Sequence, residues 1–212
     1  MLEYFATQLS SVEVNYTFRK LPSPAIVEGW LGQTSADFRF SFKAPQRITH
    51  IKRLKESSDA VSTFYASLLP VIRAGRMGVV LFQLPPNFKA DLDRLAAFLR
   101  EAAPKNVATP RVAFEFRHAS WFEEPVFNLL RQHQAALCVA ESDDLQTPDV
   151  ATAPFSCYRL RKSDYGPAAL EQIEKQLRKK AELGDVFAYM KHEDSPKGAL
   201  MAAALLARLR AQ

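Results

Sequence analysis

Residues 111–121 read Arg111-Val112-Ala113-Phe114-Glu115-Phe116-Arg117-His118-Ala119-Ser120-Trp121. Val112, Phe114 and Phe116 alternate with Ala113, Glu115 and Arg117. A period of two is that of a β-strand, whose successive side chains leave on opposite faces. One face is apolar; the other carries a carboxylate and a guanidinium. The chain on either side reads as interior structure, where a charge is costly unless it is paired or put to use. The strand runs out at His118, and a helix can begin at Ser120-Trp121. Glu115, Arg117 and His118 therefore read as the floor of a site.

The pattern recurs on both sides. Leu2, Phe5, Ala6 and Leu9 fall at helical spacing, and Ser10-Ser11 ends that helix. Val12-Glu13-Val14-Asn15-Tyr16-Thr17-Phe18 alternates as a strand, and Ser23-Pro24 starts a helix to about Leu31. Phe38-Arg39-Phe40-Ser41-Phe42-Lys43 alternates again. Residues 54–73 have helical spacing, interrupted at Pro70. Gly78-Val79-Val80-Leu81-Phe82-Gln83-Leu84 is almost continuously apolar, as expected of a strand covered on both faces. A helix over 91–101 precedes the Glu115 strand and another, over 123–134, follows it. Strands at 136–141, 155–161 and 186–191 then alternate with helices at 167–183 and 198–210.

Strand followed by helix, seven times over, implies parallel pairing through right-handed crossovers. An open doubly wound sheet and a closed barrel both satisfy that rule. The glycine-rich phosphate fingerprint of the dinucleotide-binding sheet is absent, and seven glycines leave little room for one. Polar residues gather toward the carboxyl ends of the strands, where barrel enzymes keep their sites. The expectation is an α/β protein with a TIM-type (β/α) barrel, one domain over residues 1–212.

Composition narrows the function classes. Hydrophobic residues make up 48% of the 212, enough for a substantial core. No run approaches the roughly 18 apolar residues of a membrane span. Residues 1–10 lack the basic start and apolar stretch of a signal peptide, so a cytoplasmic location is expected. Cys138 and Cys157 lie in apolar runs without metal-type spacing and read as reduced, buried thiols. The net charge of +5 suits an anionic ligand or a merely basic surface, and gives only weak support for nucleic acid.

Four segments in order resemble one family. They are residues 12–18 with Leu21-Pro22-Ser23-Pro24; Asp37-Phe38-Arg39-Phe40-Ser41-Phe42-Lys43-Ala44-Pro45 with Ile48-Thr49-His50; Leu81-Phe82-Gln83-Leu84-Pro85-Pro86; and Phe114-Glu115-Phe116-Arg117-His118 with Ser120-Trp121. The chain is similar to the YecE-like proteins of domain of unknown function 72. That resemblance implies a TIM-type barrel and no particular reaction. It also implies a further strand with a Gly-Trp-type motif ahead of the opening helix. Seven strands are readable here, so the family's first strand is expected to be missing. The ends of the sheet would then be unpaired, giving a gapped barrel or a homodimer that covers the gap. The family's last strand ends in an Asn- or His-rich segment before Gly; here Lys191-His192-Glu193-Asp194 precedes Gly198.

Glu13, Asn15, Lys43, Gln83, Glu115, Arg117, Glu141, Arg159 and Arg161 lie on these strands or just past them, so a barrel can converge them on one mouth. Each alone reads equally well as part of an internal salt-bridge network. Together they read as a site for a polar, anionic small molecule such as a sugar phosphate or phosphodiester. Glu115, Glu13 and His118 are the candidate acid-base groups, and the two carboxylates could instead hold a divalent metal. Arg117, Lys43, Arg159 and Arg161 are candidates for the anion, which guanidinium grips bidentately. The rival expectation is a non-catalytic binding or interaction module. His50 could close the mouth or lie in solvent. His192, Glu193 and Asp194 could hold a cation. Trp121 could stack on a sugar or base, or pack under the following helix; Tyr165 could reach a ligand, and residues 175–180 read as a solvated basic face. Ser142 lacks the G-x-S-x-G setting of a serine nucleophile.

Overall fold

The alternating segments pair side by side into one all-parallel sheet. The computed structural model describes residues 1–101, 110–141, 146–162, 165–191 and 196–211. The strands are β1 (Ser11–Val14), β2 (Arg39–Lys43), β3 (Met77–Gln83), β4 (Arg111–Glu115), β5 (Ala136–Glu141), β6 (Phe155–Leu160) and β7 (Asp185–Met190). They pair strictly in chain order. The helices between and around them are α1 (Leu2–Gln8), α2 (Pro24–Gly32), α3 (Ser58–Ser67), α4 (Leu69–Arg73), α5 (Leu92–Glu101), α6 (Glu124–Gln132), α7 (Pro167–Ala181) and α8 (Lys197–Arg210). The result is a nearly closed barrel, and register aligns the strand ends: Gln83 lies opposite Glu115, and Glu141 opposite Leu160.

The two faces of the sheet differ in size as well as polarity. The outward face is aromatic and packs on the helices: Phe40, Phe42, Phe82, Phe114 and Phe116 share one core with Val27, Phe64, Leu95 and Leu130. Phe116 stacks on Trp121 at 4.5 Å, and the Trp121 indole N–H donates to the Phe88 carbonyl. Trp121 is thus a packing residue. The inward face is built of smaller groups, with Val79, Leu81, Ala113, Ala136, Cys138 and Cys157 filling the barrel between Phe155 and Phe187. Each buried aromatic contributes about 1.5–3 kcal/mol of transfer free energy, so the outward face carries most of the packing.

β1 and β7 are the two ends of the sheet and do not pair with each other. A groove of about 830 Å³ runs beside them, bounded by Phe5 of α1, Val186 and Ala188 of β7, and Leu205 of α8. Side chains bridge the interior instead. The Tyr189 hydroxyl donates to Ser41 Oγ at 2.6 Å, and Arg159 of β6 meets Glu13 of β1 at 2.7 Å. Ser41 Oγ also accepts from the Val79 amide, which tightens β2 on β3.

Two expected elements are shorter than their patterns. The strand expected over residues 12–18 ends at Val14, and Tyr16–Phe18 turns as a 3-10 helix. Thr17 causes the change: its hydroxyl bonds the carbonyls of Val14 and Lys43, drawing the chain over the strand ends. The helix expected over residues 54–73 starts only at Ser58 and breaks at Leu68, with Pro70 inside the first turn of α4. Arg53, Leu54 and Glu56 hold positive φ, which stops a right-handed helix there. Among the described residues no helix is long and apolar enough to cross a membrane.

At Gly184, leading into β7, a Cβ would stand 2.2 Å from the Pro154 carbonyl oxygen. Backbone cannot yield as a flexible side chain can. Gly184→Ala is therefore expected to cost about 1–3 kcal/mol, read as a lower midpoint in chemical denaturation. An unchanged midpoint would mean that β6 and β7 do not approach in this way.

Candidate functional site

The parity of the strands decides which polar residues meet. On β4 the apolar set faces the helices, so Ala113 and Glu115 face inward. The same parity turns Glu13, Lys43, Gln83 and Arg159 toward the axis at the carboxyl end of the barrel. Glu115 is 2% exposed and lies at the centre of the group. Its Oε2 accepts from Arg159 at 2.6 Å; its Oε1 accepts from Gln83 at 2.8 Å and from Arg117 at 2.9 Å. Arg159 reaches the other way to Glu13 at 2.7 Å. One guanidinium thus joins the carboxylates of β1 and β4. Its Nε has no hydrogen-bond partner although it is buried.

The charges follow from this geometry. Burial pushes the Glu115 carboxyl up, but Arg159, Arg117 and Gln83 outweigh it and hold it down at about 2. Burial disfavours the charge on Arg159, yet Glu13 and Glu115 raise its pKa above the usual guanidinium value. Lys43 has no such compensation. Burial and the neighbouring Arg159 and Arg117 lower it to about 8, with only partial offset from Glu115 and Glu13. Its Nζ sits 4.1 Å from the centre of the Phe18 ring.

Above this layer opens a cavity of about 500 Å³. Arg19, Lys20, Lys43, Arg117, Arg159 and Arg161 line it, and no carboxylate does among the described residues. Asn15 also lines the cavity, at the head of the 3-10 turn. Arg19 and Lys20 are not among the sequence candidates, because a strand running straight to Phe18 would carry them away from the opening. The turn folds them back over the opening. His50 does not line the cavity but packs against a residue that does: its ring meets Phe18 edge-on at 5.0 Å, and Thr49 Oγ1 lies 2.9 Å from its Nδ1. Burial, then Lys43 and Arg117, lower its pKa, which favours the neutral ring.

Some expected members stand elsewhere. Glu141 has the outward parity of Leu137 and Val139; it pairs with Lys162 at 3.2 Å and lines a separate cavity with Tyr158 and Ile173. The Nδ1 of His118 accepts from the Ser120 amide at 3.1 Å, so it caps the turn rather than facing the mouth. Tyr165 is buried among Ile173, Leu177 and Met190, its hydroxyl accepting from the Lys162 amide. On α7, Lys175 pairs with Glu171 and Lys180 with Asp149, outside the mouth. Ser142, His192, Glu193 and Asp194 lie outside the described residues. The donor set does not suit a divalent metal: Glu13 and Glu115 share an interposed guanidinium, and no three His, Cys, Asp or Glu gather among the described residues.

A family model described as "Protein of unknown function DUF72" matches residues 1–212. The chain belongs to the DUF72 family. It is 40% identical over 87 residues to the UPF0759 protein YecE of Escherichia coli, covering 41% of this chain and 31% of that one. It is 28% identical over 130 residues to the UPF0759 protein YunF of Bacillus subtilis, covering 59% and 45%. The matched segments therefore span under half the length of these relatives. Among solved structures, a DUF72 protein from Thermotoga maritima superposes with a TM-score of 0.84 at 23% identity, covering 97% of this chain and 87% of that one. Another, from Enterococcus faecalis, superposes at 0.80 with 18% identity, covering 97% and 93%. These likenesses establish the shared barrel fold.

Glu115→Gln leaves Arg117 without its carboxylate and Arg159 with Glu13 as its one remaining buried counter-charge, so it is expected to cost about 3–5 kcal/mol. For a chain of this size that lowers Tm by roughly 6–20 °C. The pH dependence has a definite sign. With the folded carboxyl lowered, its stabilisation is full above the unfolded pKa and is lost as pH falls toward about 2. Chemical denaturation at neutral and acid pH checks both. A variant as stable as the parent would remove Glu115 from the network.

Proposed function

We propose that this protein binds a polar anionic ligand, a sugar phosphate or phosphodiester, in the mouth at the carboxyl end of its barrel. The observation that carries this reading is the charge layout. Six cationic side chains line the cavity, and the two nearby carboxylates are consumed beneath it by Arg159. Such a concave cationic site concentrates anions, and the forked guanidiniums of Arg117 and Arg161 match phosphate oxygens. Lys43 and Gln83 add single donors. Glu115 and Glu13 act here as struts that hold Arg159.

Binding is better supported than hydrolysis. A carboxyl held at about 2 has no proton to give at neutral pH, so Glu115 is poorly placed as a general acid. A cytoplasmic setting accords with Cys138 and Cys157 standing as free thiols with their sulfurs 3.6 Å apart.

The test is thermal shift against matched sugars, sugar phosphates, nucleotides and short oligonucleotides. A phosphorylated sugar at about 100 times its Kd should stabilise the fold by about 2.7 kcal/mol, a rise in Tm of roughly 5–10 °C. The unphosphorylated sugar should give no shift, and Arg117→Ala should abolish the response. Rising salt should weaken it. Equal shifts from a sugar and its phosphate, or none from any phosphate, would contradict the proposal.

A further inference from the structure

Of the two amines that line the mouth, Lys20 is exposed and Lys43 is partly buried. Arg117 and Arg159 are each tied to a glutamate, whereas Lys43 has no hydrogen bond or carboxylate partner among the described residues. It projects from the carboxyl end of β2 into the cavity, its Nζ over the Phe18 ring. The groups that face it are Glu13 from β1, Glu115 from β4, Arg117 just beyond β4, Arg159 from β6 and His50 from the turn after β2. The two carboxylates have their charge taken up by guanidiniums, which cannot give up a proton. The Phe18 face favours an ammonium, but burial and the two guanidiniums oppose it more strongly and leave the group at about 8. A lysine beside fixed cations in a partly desolvated cavity is the setting in which amines become nucleophiles near neutral pH.

We propose that Lys43 is a nucleophilic amine that condenses with the carbonyl carbon of an anionic aldehyde or ketone seated in the mouth. The proposal deepens, and rests on, the anion-binding reading. The neutral amine nitrogen adds to the carbonyl carbon as the C=O π pair moves to oxygen; the oxygen takes a proton from solvent and the nitrogen gives one up, which leaves a neutral carbinolamine. The carbinolamine then gains one more proton and loses water, leaving a protonated imine. The balance is one amine, one carbonyl and one proton giving one iminium and one water. Arg117 and Arg161 hold the anionic group while the carbonyl lies toward Lys43. The iminium makes a neutral amine into a cationic electron sink, the step that precedes proton removal or bond cleavage beside a carbonyl.

The experiment uses the full chain and pyridoxal 5′-phosphate, an aldehyde that carries a phosphate, with uncharged pyridoxal as control. Adducts are fixed with borohydride and mapped by peptide mass spectrometry. Lys43 should be labelled about tenfold faster than the other lysines: near pH 8 its neutral fraction is about a hundredfold larger, and the lower intrinsic nucleophilicity of a less basic amine offsets part of that. The labelling rate should rise with a midpoint near 8, inorganic phosphate should suppress it, and Lys43→Arg should remove the fast site. Arg117→Met should move the midpoint upward, a readout that a merely structural lysine would not give. Should pyridoxal phosphate raise Tm while Lys43 labels no faster than surface lysines, the nucleophile is overturned and the anion site stands. Should Lys43 label fast and equally with both aldehydes, unaffected by phosphate, the anion reading fails and the reactive amine stands without it.

Discussion

The guanidinium of Arg159 lies between two carboxylates that belong to distant strands, and the upper half of the barrel is built around that fact. It bonds Glu115 of β4 on one side and Glu13 of β1 on the other. Because β1 and β7 do not pair, this contact and the Tyr189–Ser41 bond reach β1 and β2 across the interior. Ion pairs in such a place are not a source of great stability, since desolvation offsets most of their attraction. What they contribute is geometry. They fix which charges are satisfied below the mouth and which remain to face it.

The distribution of size between the two faces of the sheet makes that arrangement possible. Aromatic residues on the outward parity bury their area against the helices, while alanine, cysteine, serine and glycine on the inward parity keep the bore narrow. Ser41 sits where a Cβ on Gly78 would come within 2.4 Å of its hydroxyl oxygen. In a bore packed that closely, arginine and glutamate fit only at the open end. Burial at that end lowers the Lys43 amine, whereas the more deeply buried Glu115 is held down against its own desolvation by Arg159 and Arg117.

The strands and their faces were legible from alternation, because Val112, Phe114 and Phe116 against Ala113 and Glu115 allow one local structure and one choice of faces. The barrel was legible from the polar residues at the strand ends and the missing glycine-rich fingerprint, and the resemblance to the family implies the same fold. The site was legible only in part. Glu13, Lys43, Gln83, Glu115 and Arg159 share a parity that can be counted in the sequence, and they converge. Glu141 could have been separated by the same count, since it is in step with Leu137 and Val139. The turn at Tyr16–Phe18 could not, because it depends on Thr17 bonding Lys43, a residue 26 positions away. Arg19 and Lys20 reach the mouth through that non-local contact. Leu54 likewise looks helical by spacing, and its left-handed backbone is set by the turn before it.

The central claim is that Glu115 is an ionised carboxylate committed to two arginines, which leaves the mouth above it cationic. Following the Glu115 carboxyl carbon by NMR through an acid titration tests this directly. The account predicts that the resonance keeps its ionised position through the ordinary carboxylate range and moves only near pH 2. A midpoint at or above the usual carboxylate value would contradict it, because a protonated Glu115 could not hold Arg159 and Arg117 as described.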